Sequence, residues 1–184
     1  ASEARIASLV AIARGDVPAE HWLALGRSFT GIGGRRVLLS WSGTMFEYLM
    51  PLLITRRFAN SLLDDACRQA VATQIDFVAR RGVPWGISES AFGALDANRI
   101  YQYQAFGVPG LGIQRGLEDD LVVAPYATAL ALPVAPRAAL RNLRRLTRLG
   151  LRGDYGYFDA IDYTRRRQTE DRNGLIAYTY MAHH

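Results

Sequence analysis

Lysine is missing from this chain: all 22 of its positive side chains are arginine. Such a bias speaks for a GC-rich, bacterial coding sequence rather than for any one ligand. The arginines are spread along the chain and no nucleic-acid-binding motif accompanies them, so a net charge of +5 does not make nucleic acid a partner. Cysteine is almost missing too. Cys67 stands alone, which excludes an intrachain disulfide and a thiolate metal site and is compatible with a reducing compartment. No apolar run approaches the roughly 20 residues that span a bilayer. The opening ASEARIASLVAIARG has no basic region before its short apolar stretch and no cleavage site after it, so the segment reads as soluble. Repeats and low-complexity linkers are also lacking. What remains, 184 residues of which 49% are apolar and 21% charged, fits one globular domain.

Apolar spacing predicts a helix from Glu3 to Arg14 and a second from about Ala19 to Phe29. A Gly-rich loop, Gly31 to Arg36, leads into a strand-like stretch at Val37 to Leu39. Thr44 is placed to cap a further helix that Pro51 should kink. The clearest helix runs from Leu62 to Arg81, with Ser61 and Asp64 at its start, Ala66, Ala70, Gln74 and Val78 on one face, and Gly82 and Pro84 as a stop. A long structured loop is expected from Gly82 to Gly116, then helices around Leu117 to Leu132 and from Pro136 to Leu149. A further loop, LRGDYGYFDAIDYTRRR, precedes a last helix starting at Gly174. The recurring pattern of helix and aromatic, carboxylate-bearing loop points to an all-α array with its loops gathered at one end.

Three acids sit among aromatics and glycines: Glu47 in WSGTMFEY, Glu89 in PWGISESAF and Asp159 in YGYFDAIDYT. Sugar chemistry wants this combination, because sugar faces stack on Trp and Tyr while paired carboxylates supply a proton and either a nucleophile or a water-activating base. The same acids would be unremarkable as helix caps or surface ion pairs. Tyr101, Tyr103, Tyr155, Tyr157 and Tyr163 either stack on sugars or pack the core. Gln102 and Gln104 alternate with tyrosines and suit sugar hydroxyls, although a strand edge shows the same alternation. The row Arg137, Arg141, Arg144, Arg145 and Arg148 reads as a solvated helix face. His183 and His184 are a tag remnant or a metal pair, and adjacent histidines on a helix point apart, so no metal is expected.

The strings SWSGTMFEYLMP, GVPWGISESAF, YQYQAFGVPGLG, DDLVVAPYATALAL, DAIDYT and YMAHH together resemble the central glycoamylase-like region of cyclic β-1,2-glucan synthases, related to endo-β-1,2-glucanases, over nearly everything from Ser40 onward. The resemblance implies an (α/α)6 barrel that closes linear β-1,2-glucan into rings by a retaining transglycosylation, without a cofactor. It makes Glu89 the acid/base and Asp159 the nucleophile or water-positioning base. The family more often carries Glu at the position of Asp159, so Glu47 stands in reserve. Trp41, Trp85, Tyr101, Gln102, Tyr103, Tyr157, Asp162 and Tyr163 become sugar-binding neighbours. It also implies a parent at the bacterial inner membrane, this region on the cytoplasmic side, between glucosyltransferase and phosphorylase-like regions.

A closed barrel of twelve helices needs at least roughly 200 residues. The chain is therefore expected to be a fragment of a larger multidomain protein, a partial glycoamylase-like domain over 1–184: an incomplete (α/α)6 barrel, about half the toroid, with the remaining half as a partner. Two other readings stay open at this point: an endo-β-1,2-glucanase-type hydrolase, and a glucan-binding fragment without activity.

Overall fold

The computed structural model describes residues 4–169 and 174–181. Helix α1 (Arg5–Arg14) ends at Gly15, whose φ of 78° suits the left-handed C-cap. Its packed face is not the apolar stripe of the sequence: Arg5 and Ser8 are buried while Leu9 and Val10 are exposed. The Arg5 guanidinium instead donates to the Tyr48 carbonyl at 2.8 Å. Helix α2 is short (His21–Ala24), and the chain turns extended at Leu25, where a longer helix was expected. It continues into an antiparallel hairpin of β1 (Phe29–Ile32) and β2 (Arg35–Leu38). Gly33 and Gly34, with φ of 53° and 79°, make the two-residue turn, so the expected Gly-rich loop is the tip of a hairpin.

Thr44 caps α3 (Met45–Leu49), and a 3-10 turn over Met50–Leu53 follows at once, so Pro51 opens a turn and kinks nothing. Helix α4 (Leu62–Ala79) follows its sequence signals closely: Ser61 accepts from the Asp64 N–H at 3.2 Å, and Ala66, Ala70, Gln74 and Val78 are buried. Asp64 is itself buried and takes the guanidinium of Arg57 and that of Arg68, the latter at 3.0 Å. Burial alone would push its carboxyl up, but the hydrogen bonds and charges of the two arginines outweigh it and hold the group below the usual carboxylate range. With the folded value below the unfolded one of about 3.9, the stability it contributes is present above that value and is lost as pH falls through the folded one. Asp64→Asn should lower the thermal midpoint at pH 7, and the gap to the parent should close below about pH 4. A gap independent of pH would remove this account.

Beyond α4 the chain forms β3 (Ser90–Leu95) and β4 (Tyr101–Gln104), then β5 (Val122–Val123), α5 (Pro125–Leu130) and α6 (Pro136–Arg148). The strands β6 (Arg152–Gly153), β7 (Gly156–Tyr157), β8 (Ala160–Asp162) and β9 (Leu175–Ala177) follow. β3 pairs with β4, β6 with β7, and β8 lies between β5 and β9, all antiparallel. The expectation of an all-α incomplete (α/α)6 barrel is thus overturned. Among the described residues there are six α-helices and nine strands in four small antiparallel sheets, a mixed α/β architecture.

The reason lies in the stretches read as loops. YQYQ alternates because it is a strand, Pro125 starts α5 instead of interrupting a longer helix, and Gly174 opens onto β9 instead of a helix. His183 and His184 lie outside the described residues. One contiguous core joins these parts, with Met45, Tyr48 and Leu49 of α3, Val71 of α4, Ile87, Leu111, Val122 and Val123, Leu146 of α6, and Ile161 of β8.

Candidate active site

The segment Trp85–Ser90 is held through its backbone at Trp85, Gly86 and Ile87 and through the hydroxyl of Ser88. The Trp85 carbonyl accepts from Asn142 Nδ2 at 2.7 Å and Thr128 Oγ1 at 3.1 Å. The Gly86 carbonyl takes the Ala124 N–H at 2.9 Å. Fully buried Gln74 brackets Ile87, donating to its carbonyl at 2.6 Å and accepting from its N–H at 2.8 Å. Ser88 Oγ accepts from the Phe46 N–H at 3.1 Å and from the Tyr126 hydroxyl at 2.8 Å. Four helices, α3 to α6, therefore fix the residues that carry Glu89, which is half-buried where the segment enters β3.

Asp159 comes to the same place from 70 residues further on. It is buried, and its Oδ2 accepts from the Ala91 N–H of β3 at 2.6 Å. Asp162 repeats the device two residues along β3, accepting from the Gly93 N–H at 2.9 Å. The two carboxylates take ladder positions along β3 that backbone carbonyls would otherwise fill. Asp162 is fully buried and also takes Arg167 Nε at 2.6 Å and the Thr164 N–H at 2.8 Å.

The charges of Glu89 and Asp159 meet at two phenols. Tyr103 sits opposite Ala91 in β4, and burial, then the charges of Glu89 and Asp159, push its hydroxyl up to about 12. Tyr126 of α5 is raised further, chiefly by burial, against its bond to Ser88 and with help from Tyr103, Glu89 and Asp159. Both phenols stay protonated at any physiological pH; the Tyr126 proton is spent on Ser88 Oγ, which leaves its oxygen as an acceptor.

Asp159 also lines a pocket of about 430 Å³ together with Tyr126, Tyr155, Tyr157, Phe158 and Tyr180. Tyr157 is steadied by its hydroxyl, which donates to the Leu143 carbonyl at 3.1 Å. This size and aromatic lining suit a small organic ligand.

The other sequence candidates lie elsewhere. Glu47 closes the capping box of α3: its carboxylate takes the N–H groups of Trp41, Ser42 and Thr44 and the Ser40 hydroxyl, at 2.8 to 3.2 Å. Trp85 is in the core, whereas Trp41 is 65% exposed. Tyr101 lines a separate groove and Gln102 is exposed on β4. Tyr163 packs against the core, and burial, opposed by Arg145, pushes its hydroxyl up to about 12. Arg145 leaves the solvated row of α6 and donates to the carbonyls of Val83, at 3.0 Å, and Gly82.

Sequence reasoning missed Tyr126, Phe158 and Tyr180 as site residues. The one local signal for Tyr126 was its place after Pro125 at a helix start. Among the described residues no group of three or more His, Cys, Asp or Glu side chains is placed to hold a metal, and no helix is long and apolar enough to cross a membrane.

Residues 1–184 match the family described as "Putative glucoamylase". The chain is 50% identical over all of its 184 residues to the cyclic beta-(1,2)-glucan synthase NdvB of Rhizobium meliloti (strain 1021), of which it spans 6%. Among solved structures it is similar to a putative glucoamylase from Bacteroides fragilis NCTC 9343, with 19% identity and a TM-score of 0.57 over 79% of this chain and 36% of that one. It is also similar to the endo-beta-1,2-glucanase from Chitinophaga pinensis in complex with sophorotriose and glucose, with 15% identity and a TM-score of 0.53 over 75% of this chain and 35% of that one. At these identities the two structures speak for the fold.

Proposed function

The chain belongs to this glycoamylase family, and from that premise we propose that it is the reacting part of an enzyme that closes linear β-1,2-glucan into a ring by transglycosylation. The observation that carries the reading is the placing of both acids on one strand, Glu89 at the entry of β3 and Asp159 on the Ala91 N–H of the same strand at 2.6 Å, beside an aromatic pocket. Two carboxylates and stacking surfaces are what glycosyl transfer with retention requires.

In the first step one Asp159 oxygen attacks the anomeric carbon while the Glu89 carboxyl gives its proton to the departing glycosidic oxygen. In the second, the Glu89 carboxylate takes the proton of a 2-hydroxyl from the far end of the same glucan. That oxygen displaces Asp159 and forms the closing β-1,2 bond. Water in place of the hydroxyl gives hydrolysis. The Ala91 N–H holds one Asp159 oxygen in place. Glu47 and Asp162 position the site rather than react, because each spends its oxygens on backbone N–H groups.

The high identity to a synthase favours ring closure over the glucanase reading. On the same reading the chain is one part of a longer protein at the bacterial inner membrane, this part on the cytoplasmic side, flanked by glucosyltransferase and phosphorylase-like regions. Incubating the full-length protein with linear β-1,2-glucan should yield products without a reducing end. Short linear products would turn the assignment to a glucanase, and unchanged glucan would leave a binding module.

A further inference from the structure

A second groove lies outside the pocket that holds Asp159. It measures about 520 Å³ and is bordered by Tyr101 on β4, by Leu175, Ile176 and Tyr178 at the end of the chain, and by Gly93 of β3. Tyr178 is 63% exposed, yet its ring is in contact with another: it meets Phe158 edge to face with centroids 5.0 Å apart. Phe158 in turn lies 5.1 Å from Tyr180, and Tyr180 lies 5.7 Å from Tyr155. Phe158, Tyr180 and Tyr155 all line the Asp159 pocket. The two concavities thus share one unbroken row of rings, with Tyr178 at the far end.

Local backbone features make room for this row. A Cβ at Gly153 would stand 2.2 Å from the Tyr180 hydroxyl and 2.8 Å from the Phe158 ring, and a Cβ at Gly93 would stand 2.9 Å from Asp162 Oδ2 at the edge of the groove. Glycine at both sites lets the rings and the strand approach closely. An exposed tyrosine held at a fixed angle loses little freedom when a flat apolar face settles on it, and its hydroxyl can still meet sugar hydroxyls.

We propose that the groove between Tyr101 and Tyr178 is a distal subsite for β-1,2-linked glucan, which grips the chain away from the bond that reacts. The proposal rests on the reading of this chain as acting on β-1,2-glucan. It adds that the site takes long chains in preference to short ones, since a short oligosaccharide fills the Asp159 pocket alone while a long one spans both concavities. The row of rings that runs from groove to pocket argues for one ligand lying along both.

The test measures binding calorimetrically in full-length protein carrying Glu89→Gln, so that turnover is slowed, with long linear β-1,2-glucan and with a β-1,2-linked trisaccharide. Adding Tyr178→Ala should weaken the long glucan roughly tenfold, the loss of one stacking partner. It should change the trisaccharide less than about twofold, and Tyr178→Phe should restore most of the loss. Equal weakening of both ligands, or of neither, would overturn the distal subsite and leave the wider reading standing. Failure of the protein to bind either glucan before Tyr178 is changed would overturn both.

Discussion

Glu89→Gln in the full-length protein is expected to cut turnover of linear β-1,2-glucan by roughly 10²- to 10⁴-fold, the range general acid–base groups supply. The substitution keeps shape and volume and removes only the transferable proton. The hydrogen bonds that hold the neighbouring residues come from Gln74, Asn142, Thr128, Phe46 and Tyr126 to backbone and Ser88 atoms, so the segment should keep its path. A donor whose leaving group needs no proton, such as a nitrophenyl β-glucan, separates the roles. With it, Glu89→Gln should form the glycosyl-enzyme at nearly the parent rate and stall in the second step, while Asp159→Asn should fail in the first. Full activity of Glu89→Gln on linear glucan would sink the assignment. An equally dead reaction with the activated donor would exchange the roles of the two acids.

The sequence disclosed those parts of the fold whose signals are local. Helices α4 and α6 carry their start, their stripe and their stop within a few residues, and both form close to where the spacing put them. The strands were hidden for the opposite reason. β5 and β8 are two and three residues long, too short for any period, and they exist because each finds a partner about 40 residues away in sequence. The site shows the same division. Glu89 and Asp159 stand out as candidates from their aromatic surroundings in the sequence, whereas the place of Tyr126 near them depends on α5 setting it against Ser88. Glu47 carries a local signal of another kind. Thr44-x-x-Glu47 has the spacing of a capping box, and that is the role its carboxylate plays.

Gly107→Ala is expected to cost at least about 3 kcal/mol of a stability that for ordinary domains totals only about 5–15. A Cβ there would lie 1.6 Å from the Ser42 carbonyl oxygen, a distance no rotamer can relieve because both partners are backbone. The neighbours cannot retreat. Gly43, at φ 71°, already leaves no space for a side chain, since its own Cβ would stand 2.7 Å from the Gly112 nitrogen. Three glycines therefore let two backbones cross, and the Val108 N–H reaches the Gly43 carbonyl at 3.2 Å across the crossing. Moving this crossing also moves the site. The N–H groups of Trp41 and Ser42 bind Glu47, Glu47 caps α3, and α3 steadies Ile87 and Ser88 through the N–H groups of Met45 and Phe46. Stability and turnover should therefore fall together in chemical denaturation and activity assays. Gly26→Ala, with no atom within 4 Å of its Cβ, should change stability by less than about 0.5 kcal/mol. If Gly107→Ala stayed within about 1 kcal/mol of the parent, the crossing would be softer than its geometry requires.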